Sequence, residues 1–227
     1  KNTDEDYLMV TFTNVKGSKT DAVTDNSIKV SMRFEENPEE EQAPYGAGRM
    51  IYKLELTRQH NGGSSRFGFY NKQNPAYVRV LVPEGSELLN ISGNSTPVFK
   101  PLISYSGTDF KQDDNLFKLE SSFNFDPALA GKDGVDIEKG VSVYRESGKT
   151  GFAFWLITDP GEHKTVELEY AVPINDTPCL MDTPCPKMIY IQKQPGLEVD
   201  NFEFKVGDDY IYSGKFDKDL ELRFKAE

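Results

Sequence analysis

Residues 141–172 have the sequence VSVYRESGKTGFAFWLITDPGEHKTVELEYAV, in which three apolar runs are separated by two turn-forming stretches. The stretches are Glu-Ser-Gly-Lys at 146–149 and Asp-Pro-Gly at 159–161. They favour chain reversal because proline presets φ and glycine accepts positive φ. We therefore predict a three-stranded antiparallel meander over 141–172. Its middle run is apolar on both faces and should be a central strand.

The same two-residue period extends through most of the chain. Apolar and polar residues alternate at 28–35, 50–57, 165–172 and 219–224, which is typical of strands with one face in a core and one in water. Shorter runs of the same kind occur at 7–12, 77–82, 98–105, 187–191, 202–206 and 210–212. About a dozen short strands predict an all-β fold, an antiparallel β-sandwich or two fused β-subdomains. At most one short helix is expected, at 113–125, where a strand fits equally well.

Two stretches interrupt the strand pattern. Residues 35–48 are acidic and rich in turn formers, which predicts a long solvated hairpin loop. Residues 106–140 are mixed in composition. Neither resembles a flexible linker of repeated composition. We therefore expect one extended all-β unit over residues 1–227, with a subdivision within 106–140 as the alternative.

The charge balance excludes several classes of partner. The chain of 227 residues carries 26 Lys and Arg against 37 Asp and Glu, a formal charge of −11. Such a chain repels phosphate backbones and anionic lipid, so we expect no nucleic-acid partner. No apolar run approaches the roughly 20 residues of a membrane helix, so we expect no membrane insertion by this segment. The first residues, Lys-Asn-Thr-Asp-Glu-Asp, do not form a signal peptide.

The only two cysteines lie in a proline-rich tandem repeat. Cys179 and Cys185 are six residues apart, each preceded by Asp-Thr-Pro. A disulfide between them would close a short loop and place the chain outside a reducing cytosol. Free thiols and a metal site are the alternatives, although the spacing is wide for zinc and no second Cys or His pair exists.

Two acidic clusters are candidates for a structural Ca²⁺ site. Hard carboxylate oxygens in loops between strands suit this ion, although no EF-hand spacing occurs and solvated acidic loops are the alternative. We expect no other cofactor. The candidate ligands are Asp109, Asp113 and Asp114 in one loop, and Asp133, Asp136 and Glu138 in another.

The inventory of catalytic motifs is small. His60 and His163 are the only histidines, and both are expected to be solvated loop or strand-edge residues. No Gly-x-Ser-x-Gly elbow, His-Glu-x-x-His motif or phosphate-binding glycine loop occurs. An enzyme would need one histidine beside acids such as Asp208 or Asp209. Trp155 lies within an apolar run, and we expect it in the core.

Five motifs occur in an order that resembles a known family. They are Tyr-Leu-Met-Val at 7–10 with Asn14 and Lys-Thr-Asp at 19–21; Tyr-Val-Arg-Val-Leu-Val-Pro-Glu-Gly-Ser-Glu-Leu-Leu at 77–89; Glu-Ser-Gly-Lys-Thr-Gly-Phe at 146–152; Asp-Pro-Gly-Glu-His-Lys-Thr-Val-Glu-Leu-Glu-Tyr at 159–170 with Pro173; and Tyr-Ile-Gln-Lys-Gln-Pro-Gly at 190–196. Together they resemble the C-terminal portion of a widespread bacterial envelope family, a domain of unknown function. The resemblance implies an N-terminal membrane anchor outside the given sequence and exposure of the remainder outside the cell. It implies no catalytic residues, and the stretch with the two cysteines looks like a local addition to the family pattern.

These observations lead to one functional expectation and two alternatives. We expect a noncatalytic extracellular β-sandwich domain of a bacterial cell-surface protein, with an adhesive, scaffolding or envelope-interaction role. Its partner would be a cell-surface protein or a glycan. A carbohydrate-binding module is the first alternative, since the chain has 11 Tyr and 15 Phe that could line one exposed face. An enzyme that processes envelope polymers is the second.

Overall fold

The chain forms two six-stranded β-sheets that pack against each other around a shared hydrophobic core. A computed structural model describes residues 6–36, 48–97, 140–173 and 185–226. The strands are β1 (Asp6–Asn14), β2 (Thr24–Glu36), β3 (Gly48–His60), β4 (Asn74–Pro83), β5 (Glu87–Ser92), β6 (Val141–Glu146), β7 (Lys149–Thr158), β8 (His163–Pro173), β9 (Cys185–Gln192), β10 (Asn201–Val206), β11 (Asp209–Gly214) and β12 (Leu220–Ala226).

Both sheets combine antiparallel and parallel neighbours. The first sheet has the order β12-β9-β1-β4-β7-β6, and the second has the order β11-β10-β2-β3-β8-β5. Most pairs are antiparallel, but β9 runs parallel to β1 and β10 runs parallel to β2. Parallel neighbours cannot be joined by a tight turn. In both cases the pair unites an N-terminal with a C-terminal strand. The predicted all-β sandwich is confirmed, with mixed rather than purely antiparallel sheets.

The alternation seen in the sequence places one face of each strand in the core. On β2, Ile28, Val30 and Met32 are buried, whereas Lys29 and Arg33 between and beyond them are exposed. Tyr, Leu and Val side chains of β3 and β8 complete the same layer of the second sheet. Each buried aliphatic side chain contributes about 1.5–3 kcal/mol relative to an exposed one. The two-residue period is therefore the main local determinant of the sandwich.

The strands β2 and β3 form the longest hairpin. Their register runs from Thr24 opposite His60 to Glu36 opposite Gly48. This pairing confirms that the acidic stretch at 35–48 connects two hairpin strands. Residues 37–47 of that connection lie outside the described ranges.

The predicted meander at 141–172 is only half correct. β6 and β7 form the expected hairpin, in which Ser147 and Gly148 have φ angles of 53° and 67°. β8, however, pairs with β3 and β5 in the second sheet. β7 already has β4 and β6 on its two edges, so no edge remains for β8. The Asp-Pro-Gly turn at 159–161 therefore carries the chain from one sheet to the other.

The described ranges contain two short 3₁₀ helices, Lys19–Val23 and Gly68–Asn71, and no α-helix. No helix in these ranges is long and apolar enough to cross a membrane. The predicted strand at 98–105, the alternative helix at 113–125 and almost all of the possible subdivision at 106–140 fall outside the described residues.

Candidate binding cleft

The calcium and disulfide predictions fall largely on residues that the structure does not describe. All six calcium candidates, Asp109, Asp113, Asp114, Asp133, Asp136 and Glu138, lie outside the described ranges, as does Cys179. Cys185 begins β9, and its side chain is likewise outside the description. In the part of the chain that is described, no three His, Cys, Asp or Glu side chains form a group that could hold a metal ion. Both predictions stay predictions.

His60 is buried, contrary to the expectation of a solvated loop histidine. Its side chain is fully enclosed at the end of β3. The Gly62 N–H donates to Nδ1 at 3.0 Å, and Nε2 lies 2.8 Å from the carbonyl oxygen of Lys72. With Nδ1 acting as acceptor, the proton of the neutral ring lies on Nε2 and is donated to that carbonyl. Both ring nitrogens are therefore engaged in hydrogen bonds. His163 is exposed at the start of β8, as expected.

The catalytic arrangement considered from the sequence is absent from the fold. His60 and His163 lie near the beginning of β2. The turn that holds Asp208 and Asp209 lies beside Met32, eight residues further along β2 than the partner of His60. Eight residues of strand span about 26 Å. Neither histidine can therefore act together with these aspartates.

Trp155 does not lie in the core, and its predicted position is wrong. Its neighbours on β7, Phe154 and Leu156, enter the core, so Trp155 lies on the outer face of the first sheet. Its ring lies 5.0 Å from that of Tyr77 across the β4–β7 pair, and it is partly exposed. The run at 151–157 reads as apolar on both faces because this aromatic pair covers part of the outer sheet surface.

A cleft of about 560 Å³ lies between two loops at the end of the sandwich where β2 begins. We call it the end cleft. One wall comes from the connection after β1 and the start of the first 3₁₀ helix, and the other from the connection between β3 and β4. Its lining residues are Lys16, Gly17, Ser18, Lys19, Phe69, Lys72 and Gln73.

The two segments that form the end cleft are basic in an acidic protein. Residues 14–19 and 61–73 contain three lysines and Arg66 but no aspartate or glutamate. None of these four cations forms an ion pair with a described residue, whereas the basic side chains on the sheet faces commonly do. These two segments are therefore positive by themselves, although the whole chain carries a net charge of −11.

Exposed aromatic side chains stand beside these cations. Phe67 is 53% exposed and Phe69 is 41% exposed, and their rings stack with centroids 5.5 Å apart. The ring of Tyr70 contacts Phe69 edge-on at 4.4 Å. On the facing loop Val15 is 57% exposed. Three of the five large hydrophobic residues exposed in the described ranges thus gather at this end of the molecule.

The loop that carries the phenylalanines is held by its own side chains. Asn71 Oδ1 accepts hydrogen bonds from the backbone N–H groups of Gly63 and Ser65, at 2.8 and 3.0 Å, and its Nδ2 donates to the Ser65 carbonyl at 2.8 Å. Gly62 packs so closely that a Cβ there would lie 2.1 Å from the carbonyl oxygen of Tyr70. Such internal packing is typical of a compact, ordered loop.

A buried arginine anchors the facing loop. Arg58, 1% exposed, donates to Asp21 at 2.8 Å and to Asn74 at 3.2 Å, and its guanidinium lies 5.0 Å from the ring centroid of Phe12. Burial acts to raise the pKa of Asp21, but hydrogen bonds from Asn74 and Arg58 outweigh it and hold that pKa below the ordinary 3.8. The first 3₁₀ helix, which begins at Lys19, is thereby fixed to the sandwich.

Sequence reasoning did not find the end cleft. The available signal was a run of 13 residues, 61–73, without a single acid in a chain that has 37 of them. Two phenylalanines in that run, flanked by serine, glycine and arginine, do not continue either neighbouring strand. What could not be read from the sequence is that residues 14–19 lie opposite them.

Comparison with known proteins adds little to this geometry. No protein-family model matches the sequence, and no curated protein is significantly similar to it. The crystal structure of a "putative nutrient binding protein" from Legionella pneumophila is similar over 88% of this chain, with 11% identity and a TM-score of 0.39. The chain covers 66% of that protein, less than two thirds of its length. A likeness at this level carries no argument about function.

Proposed function

We propose that this chain is a noncatalytic binding domain, exposed on the surface of a bacterial cell, that attaches to a surface polymer through the end cleft. The observation that carries the proposal is the cleft itself, where Phe69, stacked on Phe67, stands beside lysines that form no ion pair with a described residue. Binding residues commonly lie on loops that a rigid scaffold positions. The sandwich supplies that scaffold here.

The loop at 61–73 is held in place by its own contacts, which supports a binding role for the aromatic side chains that it exposes. Phe67 and Phe69 remain half exposed although Asn71 and His60 fix the backbone around them. Aromatic side chains held in place before binding lose little conformational entropy when a ligand covers them. Clustered exposed apolar groups commonly mark interaction sites. A stacked, partly exposed phenylalanine pair offers a flat apolar surface of the kind that sugar rings cover.

The chemistry of the lining supports a noncatalytic role. The described residues that line the end cleft are lysine, glycine, serine, glutamine and phenylalanine, with no carboxylate or histidine among them. Glycoside hydrolysis needs two acids flanking the bond that is cleaved. Nucleophilic catalysis by Ser18 would need a base, and His60, a candidate for that role, has both ring nitrogens engaged in hydrogen bonds.

The location outside the cell is supported by sequence features. The resemblance to an envelope family and the paired cysteines in the tandem repeat both favour an extracellular domain. An adhesive or scaffolding role follows from a domain that binds and does not react. Anchoring to the envelope would come from a segment outside the given sequence.

A binding experiment with matched aromatic variants tests the proposal. The probes are immobilised bacterial surface polysaccharides, neutral and acidic, and the variant is Phe67→Ala/Phe69→Ala. Tyr210→Ala is the control, because Tyr210 is 59% exposed but lies on β11 beside the distant β10–β11 turn. We expect binding by the parent and by the control, and at least tenfold weaker binding by the double variant. Absence of binding to every polymer, or equal binding by the double variant, would overturn the proposal.

A further inference from the structure

We infer that the ligand of the end cleft is an acidic polysaccharide, whose charged groups lie among Lys16, Lys19 and Lys72 while a sugar ring covers Phe69. This inference rests on the proposed function and adds the chemical class of the ligand. Neither the fold nor the net charge of the chain suggests it. It is carried by the positions of a few cations that have no ion-pair partner in the described ranges.

Charge complementarity is the first argument. The three lysines line one cleft and make no ion pair with a described residue. Arg66 lies in one of the same two segments, which contain no acid. Holding like charges together costs free energy by mutual repulsion, and an anionic ligand relieves that cost. The bulk of the acidic charge lies elsewhere in the sequence, notably at 35–41.

Three acids that adjoin or contact the two cleft segments already have hydrogen-bond partners. Asp21 pairs with the buried Arg58, Asp25 accepts a hydrogen bond from the Asn61 amide at 2.7 Å, and Asp159 accepts one from the Gln73 amide at 3.0 Å. None of the three is among the described residues that line the cleft, so the charged groups of that lining are all positive.

The shape of the site favours a polysaccharide over a lipid bilayer. The cleft volume of about 560 Å³ falls within the ~300–1,000 Å³ that is typical of small-ligand sites, which is room for a sugar residue. A bilayer presents a flat surface and cannot enter a concave site between two loops. A sugar chain can place one residue in the cleft and continue past Phe67, which stacks on Phe69 at its rim.

The overall charge makes the interaction short-ranged. A protein of charge −11 gains no long-range attraction for a polyanion, and exposed charges are screened beyond about 8–10 Å in physiological salt. Binding must therefore depend on direct lysine contacts. Neutralising those lysines should abolish it without any change in the aromatic pair.

The test compares one polymer backbone in charged and neutral forms. The probes are polygalacturonate, its fully methyl-esterified neutral form, and vesicles of phosphatidylglycerol and phosphatidylcholine, each measured by surface plasmon resonance. The variant is Lys16→Gln/Lys19→Gln/Lys72→Gln. The matched control is Lys29→Gln/Lys215→Gln/Lys218→Gln, which removes the same charge from exposed positions outside the cleft.

We expect the parent and the control to bind polygalacturonate, with at least tenfold weaker binding by the cleft variant and by the parent in 1 M salt, and no binding to the ester. Equal binding of the charged and neutral polymers, or full binding by the cleft variant, would overturn the inference and leave the proposed function standing. Binding to the anionic vesicles without binding to the acidic polymer would overturn it in favour of a membrane surface. Absence of binding to every probe would overturn the inference, and if the polysaccharide panel also fails, the proposed function fails with it.

Discussion

His60 and Lys72 are joined by a hydrogen bond of 2.8 Å between the imidazole Nε2 and the backbone carbonyl oxygen of the lysine. The other ring nitrogen accepts the N–H of Gly62, so one buried side chain holds both ends of the loop at 61–72. The histidine therefore positions Lys72 and the segment that carries the phenylalanines.

Two glycines of the same loop should respond differently to a methyl group. A Cβ on Gly62 would lie 2.1 Å from the Tyr70 carbonyl oxygen and 2.5 Å from the His60 ring, whereas Gly68 has no neighbour within 4 Å. We expect Gly62→Ala to lower the free energy of unfolding by about 1–3 kcal/mol and to speed hydrogen exchange at Ser65. Gly68→Ala should change stability by no more than about 0.5 kcal/mol. Similar unfolding midpoints for the two variants would contradict the packing described here.

Removing the charge of Asp21 should destabilise the protein in a pH-dependent way. Asp21→Asn leaves the buried Arg58 without its carboxylate, which we expect to cost about 1–2 kcal/mol at pH 7, because the aspartate itself is half exposed. The pKa of Asp21 is lowered in the fold, so its contribution is complete above the ordinary pKa of 3.8 and is lost as pH falls through the lower folded value. Urea unfolding at pH 7 and pH 2.5 should show the gap between parent and variant closing. Asp25→Asn is the control, and an equal effect there would contradict a specific role for the Arg58 pair.

Asp6 should show the opposite dependence on pH. Burial raises its pKa, partly offset by the hydrogen bond from the Tyr52 hydroxyl at 2.7 Å and by the charge of Lys187. A raised folded pKa gives a contribution that is present below about pH 3.8 and lost as pH rises through the folded value. Asp6→Asn should therefore be equal to the parent in stability at pH 3 and more stable at pH 7, because the parent alone must ionise a buried carboxyl group. A variant that is no more stable at pH 7 would show that the carboxylate is adequately solvated.

The β6–β7 turn should be improved by a residue that tolerates positive φ. Ser147 has a φ of 53° and is followed by Gly148 at 67°, the combination of a type I′ turn, for which Asn-Gly is preferred. We expect Ser147→Asn to raise the free energy of unfolding by about 0.5 kcal/mol, measured as a shift in the denaturant midpoint. Ser142→Asn, on the exposed face of β6, is the control and should be neutral or slightly destabilising. If Ser147→Asn instead lowers the free energy of unfolding, the serine makes a contact that stabilises the protein more than the preferred turn residue does.

Most strands could be predicted from the sequence, because each is set by residues two apart. The alternations at 28–35 and 50–57 became β2 and β3 with the expected faces in the core. Which strands pair with each other could not be predicted from the same local pattern. β8 follows β7 by a tight turn yet lies in the other sheet, since both edges of β7 are occupied by strands that come from elsewhere in the chain.

The candidate site could not be predicted from local sequence patterns. His60 sits in a glycine-rich stretch that predicts exposure, but the loop folds back over it and its two nitrogens find backbone partners. Trp155 sits in an apolar run that predicts a core position, but alternation along β7 places it on the outer face. Both errors arise because burial depends on which segments cover a residue, and those segments are distant in sequence.

The sequence by itself determined an all-β chain with a net charge of −11, since strand period and charge are sums over local residues. Only the tertiary structure decided where the positive charge is concentrated. Two acid-free segments, 14–19 and 61–73, are unremarkable apart, and the antiparallel pairing of β1 with β4 brings them face to face. The reason is that a cleft requires proximity between segments distant in sequence, and that proximity is set by which strands pair.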